Sequence, residues 1–375
     1  MLRPQTPAEL AEALGSAAAA GAPITLGGAF SKNAMGGPIL PADTVISTAS
    51  LDRILQYEPR DLTVSVEAGI TFAELSRVLA SNRQMIPLDP PFSDRATIGG
   101  ILAANSSGPR RRLYGTARDM VIGMKFATLD GKLVESGGMV VKNVAGLDTA
   151  KLLIGSFGTL AAIAVANFRL VPIPPVSRTF ALSHASLDEA IAARNRILTA
   201  VLQPAAIDLL NPAAAALLGY EGFLLLVRAG GNPAVIERYS RELPGARAVE
   251  GPGEDVLWQR IQDFTPQFLA EHSEGAVVRA SCLLSELRCV MPSLDAPAVA
   301  RAGSGVVYGY FVNWEPAGRW VKQARRAVIE FAPESARQQL ELWPNPGDDL
   351  AIMARLKQMF DPGRLLNRGR LFGRI

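Results

Sequence analysis

Three loops built from small residues concentrate the groups in this chain that could hold an anionic ligand. The first, Gly27-Gly28-Ala29-Phe30-Ser31-Lys32-Asn33, follows a short apolar run, Ile24-Thr25-Leu26. Small side chains there let successive backbone N–H groups face an anion unobstructed, and Ser31 adds a hydroxyl donor. The second is Thr97-Ile98-Gly99-Gly100, followed by Ala103-Ala104-Asn105-Ser106-Ser107-Gly108. Thr97 can donate to phosphate, and the paired glycines permit close approach before a short helical turn. The third, Gly155-Ser156-Phe157-Gly158-Thr159, lies between apolar runs. Each alone is explained by an ordinary turn or helix start. Together, at the ends of successive strands, they are what a cofactor threaded between loops requires.

Other chemistries lose ground. No GxGxxG appears, no GxxxxGK[ST] and no GxSxG, which argues against a Rossmann dinucleotide site, a P-loop and a nucleophile elbow. The two histidines, His184 and His272, are far apart in sequence, so a histidine-rich metal site is not expected and no metal ligands are assigned. The two cysteines, Cys282 and Cys289, can neither frame a disulfide scaffold nor hold an iron–sulfur cluster. Their scarcity fits a reducing compartment, hence a cytoplasmic location. A formal net charge of +3 makes no electrostatic case for nucleic acid. The chemistry is therefore expected to use an organic cofactor or to occur on a partner. One charge run, Arg110-Arg111-Arg112, directly follows the second loop. It reads as a solvated patch by default, or as guanidinium groups facing ligand phosphates or an acidic partner.

The elements that must position these loops are mixed α and β. Thr6-Pro7-Ala8-Glu9 and Thr71-Phe72-Ala73-Glu74 are capping boxes that predict helices. Ile24–Leu26, Thr44–Ser47, Leu62–Val66 and Met120–Leu129 read as strands. After Pro172-Ile173-Pro174-Pro175 glycine becomes rarer and longer helices alternate with strands, which predicts a separate α+β domain. There Leu187–Leu202 and Ala317–Phe331 read as helices, and Phe223–Val227, Val277–Ala280 and Val306–Val312 as strands. Asp349–Phe360 predicts a final helix before a basic tail. The N-terminus lacks the apolar core of a signal peptide, and the uncharged stretches Ala13–Ser31 and Leu152–Phe168 are broken by proline and glycine turns, so no integral membrane segment is expected.

Residues 22–172 resemble the flavin domain of the vanillyl-alcohol-oxidase or PCMH-type superfamily. The cues are the Gly27–Asn33 loop, Ala96-Thr97-Ile98-Gly99-Gly100, Tyr114-Gly115 with Arg118-Asp119, Lys142-Asn143-Val144-Ala145-Gly146-Leu147-Asp148 and Gly155-Ser156-Phe157-Gly158-Thr159-Leu160. The tail, Phe360-Asp361-Pro362-Gly363-Arg364-Leu365-Leu366-Asn367-Arg368-Gly369-Arg370, resembles that superfamily's closing segment, with Arg368 where a proline is usual. Within it, Pro87–Pro91, Ser107–Arg111 and Gly137–Asn143 are most similar to the FAD-binding E-subunit family of bacterial glycolate oxidase.

The resemblance implies an α+β fold: a two-lobed PCMH-type FAD domain (1–175), an α+β cap (176–345) and a C-terminal helix and tail (346–375) returning to the flavin. It assigns Gly27, Gly28, Ala29, Phe30 and Ser31 to the pyrophosphate loop and Thr97, Ile98, Gly99, Gly100, Ala103 and Ala104 to the second cradle. Pro90, Gly155, Gly158, Ile163 and Asn367 complete the cofactor contacts. Lys142, Asn143 and Asp148 are implied to lie near the isoalloxazine, with no catalytic residue assigned. Phe30-Ser31 stands where covalent members carry a histidine, so the FAD is expected to be non-covalent. The histidine pair and acid that hold a metal in the lactate- and glycolate-dehydrogenating subunits have no counterpart. The implied role is an accessory flavin subunit, with a homologous catalytic flavin subunit and an iron–sulfur subunit, oxidising glycolate to glyoxylate. Such a complex would place it in the cytoplasm, or peripherally on the cytoplasmic face of the inner membrane. A free-standing oxidoreductase of a metal-independent substrate and a non-catalytic scaffold remain alternatives.

Overall fold

The computed structural model describes residues 1–139 and 148–375. Local signals set its first elements. The Thr6 side chain accepts from the Glu9 N–H at 3.2 Å and starts helix α1 (Pro7–Ala19). After β1 (Ile24–Gly27), β2 (Thr44–Ser47), β3 (Ile54–Glu58) and β4 (Thr63–Glu67), Thr71 caps α2 (Phe72–Ala80) in the same way. There follow β5 (Gln84–Met85), α3 (Ile98–Ala103), α4 (Arg111–Tyr114), α5 (Ala117–Met120), β6 (Val121–Ala127), β7 (Leu133–Gly137), α6 (Ala150–Leu153), β8 (Ala162–Arg169) and β9 (Val171–Pro172).

These strands make two lobes. The parallel pair β1–β2 forms one, covered by α1, whose Leu10 and Leu14 pack with Ile24, Ile46 and Leu366 from the tail. The other is a five-stranded antiparallel sheet in the order β3-β4-β8-β6-β7, with α3 against β8. Because β1 ends at Gly27 and α3 begins at Ile98, the first two small-residue loops meet between the lobes.

The second half is one antiparallel sheet of eight strands, ordered β13-β10-β12-β11-β15-β16-β14-β17. Its strands are β10 (Val176–His184), β11 (Ala206–Leu210), β12 (Phe223–Gly231), β13 (Arg247–Val249), β14 (Ala276–Ser281), β15 (Ala298–Arg301), β16 (Val306–Phe311) and β17 (Ala327–Phe331). The helices are α7 (Leu187–Thr199), α8 (Pro212–Ala216), α9 (Pro233–Glu242), α10 (Pro252–Gln262), α11 (Phe264–Glu271), α12 (Leu287–Val290), α13 (Trp314–Gln323), α14 (Glu334–Gln339) and α15 (Asp349–Phe360). One face of the sheet packs on α7, α9 and α13; the other joins the flavin-side core, where Phe331 meets Phe92 with ring centroids 5.9 Å apart.

One expectation is corrected. Ala317–Phe331 is not a single helix: α13 ends at Gln323, and Ala327–Phe331 is an edge strand paired with β14. Val328, Ile329 and Phe331 favour the pleated surface, and each of β17's five residues is buried, a pattern a one-sided amphipathic helix would not show. Among the described residues no helix is long and apolar enough to cross a membrane.

Candidate functional site

A cleft of about 890 Å³, counted with its solvent-filled mouth, opens between the two lobes. Its walls come from all three small-residue loops and from the tail. The tail is held first. Leu365 O accepts from Ile24 N–H (2.9 Å), and Asn367 N–H donates to Ile24 O (2.9 Å), so a single parallel bridge at Leu366 ties the tail to β1. The Asn367 side chain, 6% exposed, accepts from Leu26 N–H at 2.7 Å. It donates to Leu26 O and to Phe157 O, both at 3.0 Å. Gly158 fits against that amide because it lacks a side chain: a Cβ there would lie 2.8 Å from Asn367 Nδ2, on a backbone with φ of +66°.

Lys357 closes the same joint. Its ammonium donates to Thr159 O (2.8 Å), Leu366 O (2.9 Å) and Asp361 Oδ2 (2.6 Å), so all three N–H bonds are used. Asp361 in turn accepts from Leu365 and Leu366 N–H at 3.0 and 2.8 Å. Burial pushes the Lys357 ammonium below its ordinary range, against the opposing pull of Asp361. The third loop and the tail are thus pinned to one another by a buried ion pair.

The first loop presents free donors. Ser47 Oγ donates to Gly28 O (2.8 Å) and Thr48 N–H to Gly27 O (2.9 Å), which fixes the carbonyls away from the opening. The N–H groups of Ala29, Phe30, Ser31 and Lys32 make no hydrogen bond to any described residue. Phe30 is in the left-handed region at φ 54°, so the chain reverses direction within the loop. Gly28 is a contact requirement, since a Cβ there would come 2.1 Å from Thr97 Oγ1.

The second loop works differently from the sequence expectation. The N–H groups of Ile98 and Gly99 donate to Ile70 O and Ala68 O, and Gly100 N–H donates to the capping Thr97 Oγ1. Its glycines therefore allow close helix–strand packing, and the free donors lie on the first loop. Two cations missed in the sequence also line the cleft. Burial lowers Lys32 to about 8, partly offset by Glu330. Burial and the neighbouring Arg337 lower Arg370 to about 10. Both would gain from an anion in the cleft. Free N–H donors, two half-buried cations and a glycine-lined wall fit the pyrophosphate of FAD.

Of the residues singled out from sequence, Gly27, Gly28, Ala29, Phe30, Ser31, Thr97, Gly99, Gly100, Ala103, Ala104, Gly158, Ile163 and Asn367 line this cleft. Pro90, Ile98 and Gly155 do not. Pro90 O accepts from Gln262 of α10 (2.8 Å), Ile98 is in the core, and Gly155 N–H donates to Leu102 O. Asp148 is exposed and pairs with Lys151 at 3.5 Å, away from the cleft. Lys142 and Asn143 lie outside the described residues. The arginine run is dispersed: Arg110 pairs with Asp89 (2.9 Å), Arg111 lines a second cavity, and Arg112 packs on Gly303. None of the three lines the first cleft. His184 ends β10 and the His272 ring meets that of Phe268 at a 50° tilt, and among the described residues no three His, Cys, Asp or Glu side chains cluster as metal ligands.

The family model described as FAD binding domain matches residues 1–137, and that described as FAD linked oxidases, C-terminal domain, matches 340–371. With the fold and the cleft, these define the chain as an FAD-linked oxidoreductase with a PCMH-type flavin domain. The proteins it is similar to include glycolate oxidase subunits and a D-lactate dehydrogenase. It is 28% identical over 363 residues to glycolate oxidase subunit GlcE of Escherichia coli, covering 94% of this chain and 93% of that protein. To glycolate oxidase subunit GlcD of Bacillus subtilis it is 33% identical over 161 residues, which is 43% of this chain and 34% of that protein. Among solved structures, an alkyldihydroxyacetonephosphate synthase has the same fold, with a TM-score of 0.73 at 16% identity over 98% of this chain and 75% of the other.

Proposed function

We propose that this chain is the FAD-binding accessory subunit of a complex that oxidises glycolate to glyoxylate. The observation that carries the reading is the end-to-end match to a protein named as the E subunit, against a match to the D subunit confined to a third of that protein's length. The chain has two histidines, His184 and His272, and neither lines the cleft, which fits an accessory subunit better than a dehydrogenating one. Substrate dehydrogenation is accordingly assigned to a homologous flavin subunit, and onward electron transfer to an iron–sulfur subunit. The complex would sit in the cytoplasm or peripherally at the inner membrane. We divide the chain at 175/176 and 345/346; the start of the eight-stranded sheet at Val176 supports the first division.

In this reading the N–H groups of Ala29 to Lys32 and the Ser31 hydroxyl hold the pyrophosphate, with Lys32 and Arg370 balancing its charge. Gly27, Gly28, Thr97, Gly99, Gly100, Ala103 and Ala104 shape the wall, Ile163 covers an apolar face, and Asn367 fixes the far side. FAD, when bound, would supply the redox chemistry, while the protein supplies position and field. The first loop holds Phe30-Ser31 in place of a flavin-linked histidine, and we take the cofactor to be dissociable.

Visible spectra of the purified chain, taken anaerobically before and after glycolate and again with the partner subunits, test this. The expected result is flavin bands that glycolate alone leaves intact and that bleach once the partners are present. Bleaching by glycolate alone would overturn the accessory role. A colourless protein that takes up no added FAD would overturn the cofactor site.

A further inference from the structure

Helix α13 and the turn after it carry Arg319, Lys322, Arg325 and Arg326, four exposed cations within eight residues. None of them pairs with a carboxylate among the described residues, and residues 140–147 contain no Asp or Glu to supply one. The neighbouring Arg374, by contrast, is neutralised by Glu341. A charge run of this kind is most often a solvated face. Here α13 spends its apolar side on the cap sheet through Ala317, Gly318 and Val321, so its charged side is what it presents. That side matches an acidic protein surface. A helix that lies in a lipid surface keeps an apolar face free to insert, and this one does not.

A second observation sets this corner apart from an ordinary solvated face. Phe157, which lines the cofactor cleft, meets Phe372 of the tail edge to face, with ring centroids 5.3 Å apart. Phe372 in turn meets Trp343 at 6.1 Å, also edge to face. Phe372 is buried and Trp343 half-buried, so two steps lead from the cleft to the surface. They emerge beside the cations. The Asn345 side chain donates to Lys322 O at 3.3 Å and to Ala324 O at 3.0 Å, and Arg374 donates to Trp343 O at 2.9 Å. Packed rings narrow the gap an electron must tunnel across, without being oxidised themselves.

We infer that this corner is the docking surface for an acidic one-electron carrier protein, and that electrons leave the cofactor cleft along Phe157, Phe372 and Trp343. The inference rests on the FAD reading of the cleft and gives the proposed complex a place for its electron acceptor. The transfer balances: fully reduced FAD is oxidised by two electrons, two acceptor molecules are each reduced by one, and two protons pass to water.

The probe is the soluble domain of cytochrome b5, an acidic haem protein, with basic cytochrome c as the control. Docking is measured by calorimetry at low salt with every centre oxidised, so it needs no turnover. Cytochrome b5 should bind and cytochrome c should not, and added salt should weaken the binding. Changing Arg319, Lys322, Arg325 and Arg326 together to Gln should weaken it roughly 10–100-fold, as the loss of several rim charges does. For transfer, the flavin-loaded chain is reduced with one equivalent of dithionite and mixed with cytochrome b5. Trp343→Leu should slow haem reduction and leave the binding constant unchanged, whereas Trp343→Phe, which keeps a ring, should restore most of the rate. Retained flavin bands show that each variant is folded. No binding of cytochrome b5, or equal binding by the fourfold Gln variant, overturns the docking surface and leaves the accessory reading standing. Loss of binding to anionic phosphatidylglycerol vesicles in that variant, with cytochrome b5 ignored throughout, would also overturn it by assigning the cations to a membrane. An unchanged rate in Trp343→Leu overturns the exit route. Glycolate enters neither assay, so a chain that glycolate alone bleaches can uphold the docking surface while refuting the accessory role.

Discussion

Removing one buried ammonium should loosen both the fold and the cofactor. Lys357→Met keeps the length and the apolar stem of the side chain and deletes its charge. Three acceptors then lose their donor: Thr159 O, Leu366 O and Asp361 Oδ2. Asp361, 1% exposed, keeps its two backbone donors and becomes an unpaired buried carboxylate. Breaking one side of such a pair costs about 3–5 kcal/mol, because the surviving charge stays desolvated. Replacing both partners should be cheaper. In Lys357→Met with Asp361→Asn no charge is buried, and the single amide oxygen accepts from one of the Leu365 and Leu366 N–H groups, which donate to different oxygens of the native carboxylate. The coupling between the two substitutions should be about 0.5–3 kcal/mol, the usual range for contacting residues.

Two assays read this. Denaturant midpoints of the four proteins of the cycle give the coupling energy, and dilution of the flavin-loaded proteins gives the rate of FAD loss by recovery of free-flavin fluorescence. The second follows from geometry: Thr159 and Leu366 directly flank Gly158 and Asn367, both of which line the cleft. Lys357→Met should therefore release FAD faster even where it remains folded. A destabilisation under 1 kcal/mol, or strict additivity in the cycle, would refute the claim that this ion pair ties the tail to the third loop. Unchanged FAD release would refute its link to the cofactor.

Gly28→Val should abolish flavin binding and give a colourless protein, since its Cβ would press within 2.1 Å of Thr97 Oγ1 and hold the first two loops apart; a Gly28→Val protein purified with full flavin bands would contradict this. Lys32 should make FAD affinity fall as pH rises. Its value near 8 without an anion rises when the pyrophosphate joins it, so binding takes up a proton between about pH 8 and the ordinary lysine range, and affinity is lost as pH climbs through that window. Without cofactor the sign is opposite. A lysine depressed by burial destabilises the fold at neutral pH, and stability recovers as pH rises through the same window. Equilibrium FAD titrations from pH 7 to 10 should show this slope, and Lys32→Met should flatten it; an identical slope in Lys32→Met would assign the titration elsewhere.

What could be read from sequence was short-range or required by contact. Thr6 and Thr71 announce their helices because a cap is a four-residue event, complete within the local chain. Gly27, Gly28 and Gly158 were legible because close approach excludes side chains, and that exclusion leaves glycine in the sequence whatever partner enforces it. The partner itself is not legible. Gly28 is required by Thr97, 69 residues on, and Gly158 by Asn367, more than 200 residues on. Charge was the least legible property. Arg110, Arg111 and Arg112 are neighbours in sequence and share no site, because a short helix turns successive residues in different directions. Lys32 and Arg370, 338 positions apart, line one cleft. Ala317–Phe331 failed for a related reason: residues buried on both faces of an edge strand lose the alternation that would mark a strand, and the adjoining helix lends them its own pattern. Asn367 is the instructive case between these extremes. The tail motif singled it out, but its work is a choice among hydrogen bonds that only the folded chain presents. A carboxylate at this position could accept from Leu26 N–H and would repel Leu26 O and Phe157 O; the amide satisfies all three. The tail thereby joins β1 and the third loop through one uncharged side chain, and leaves the positive charge around the cleft to the ligand.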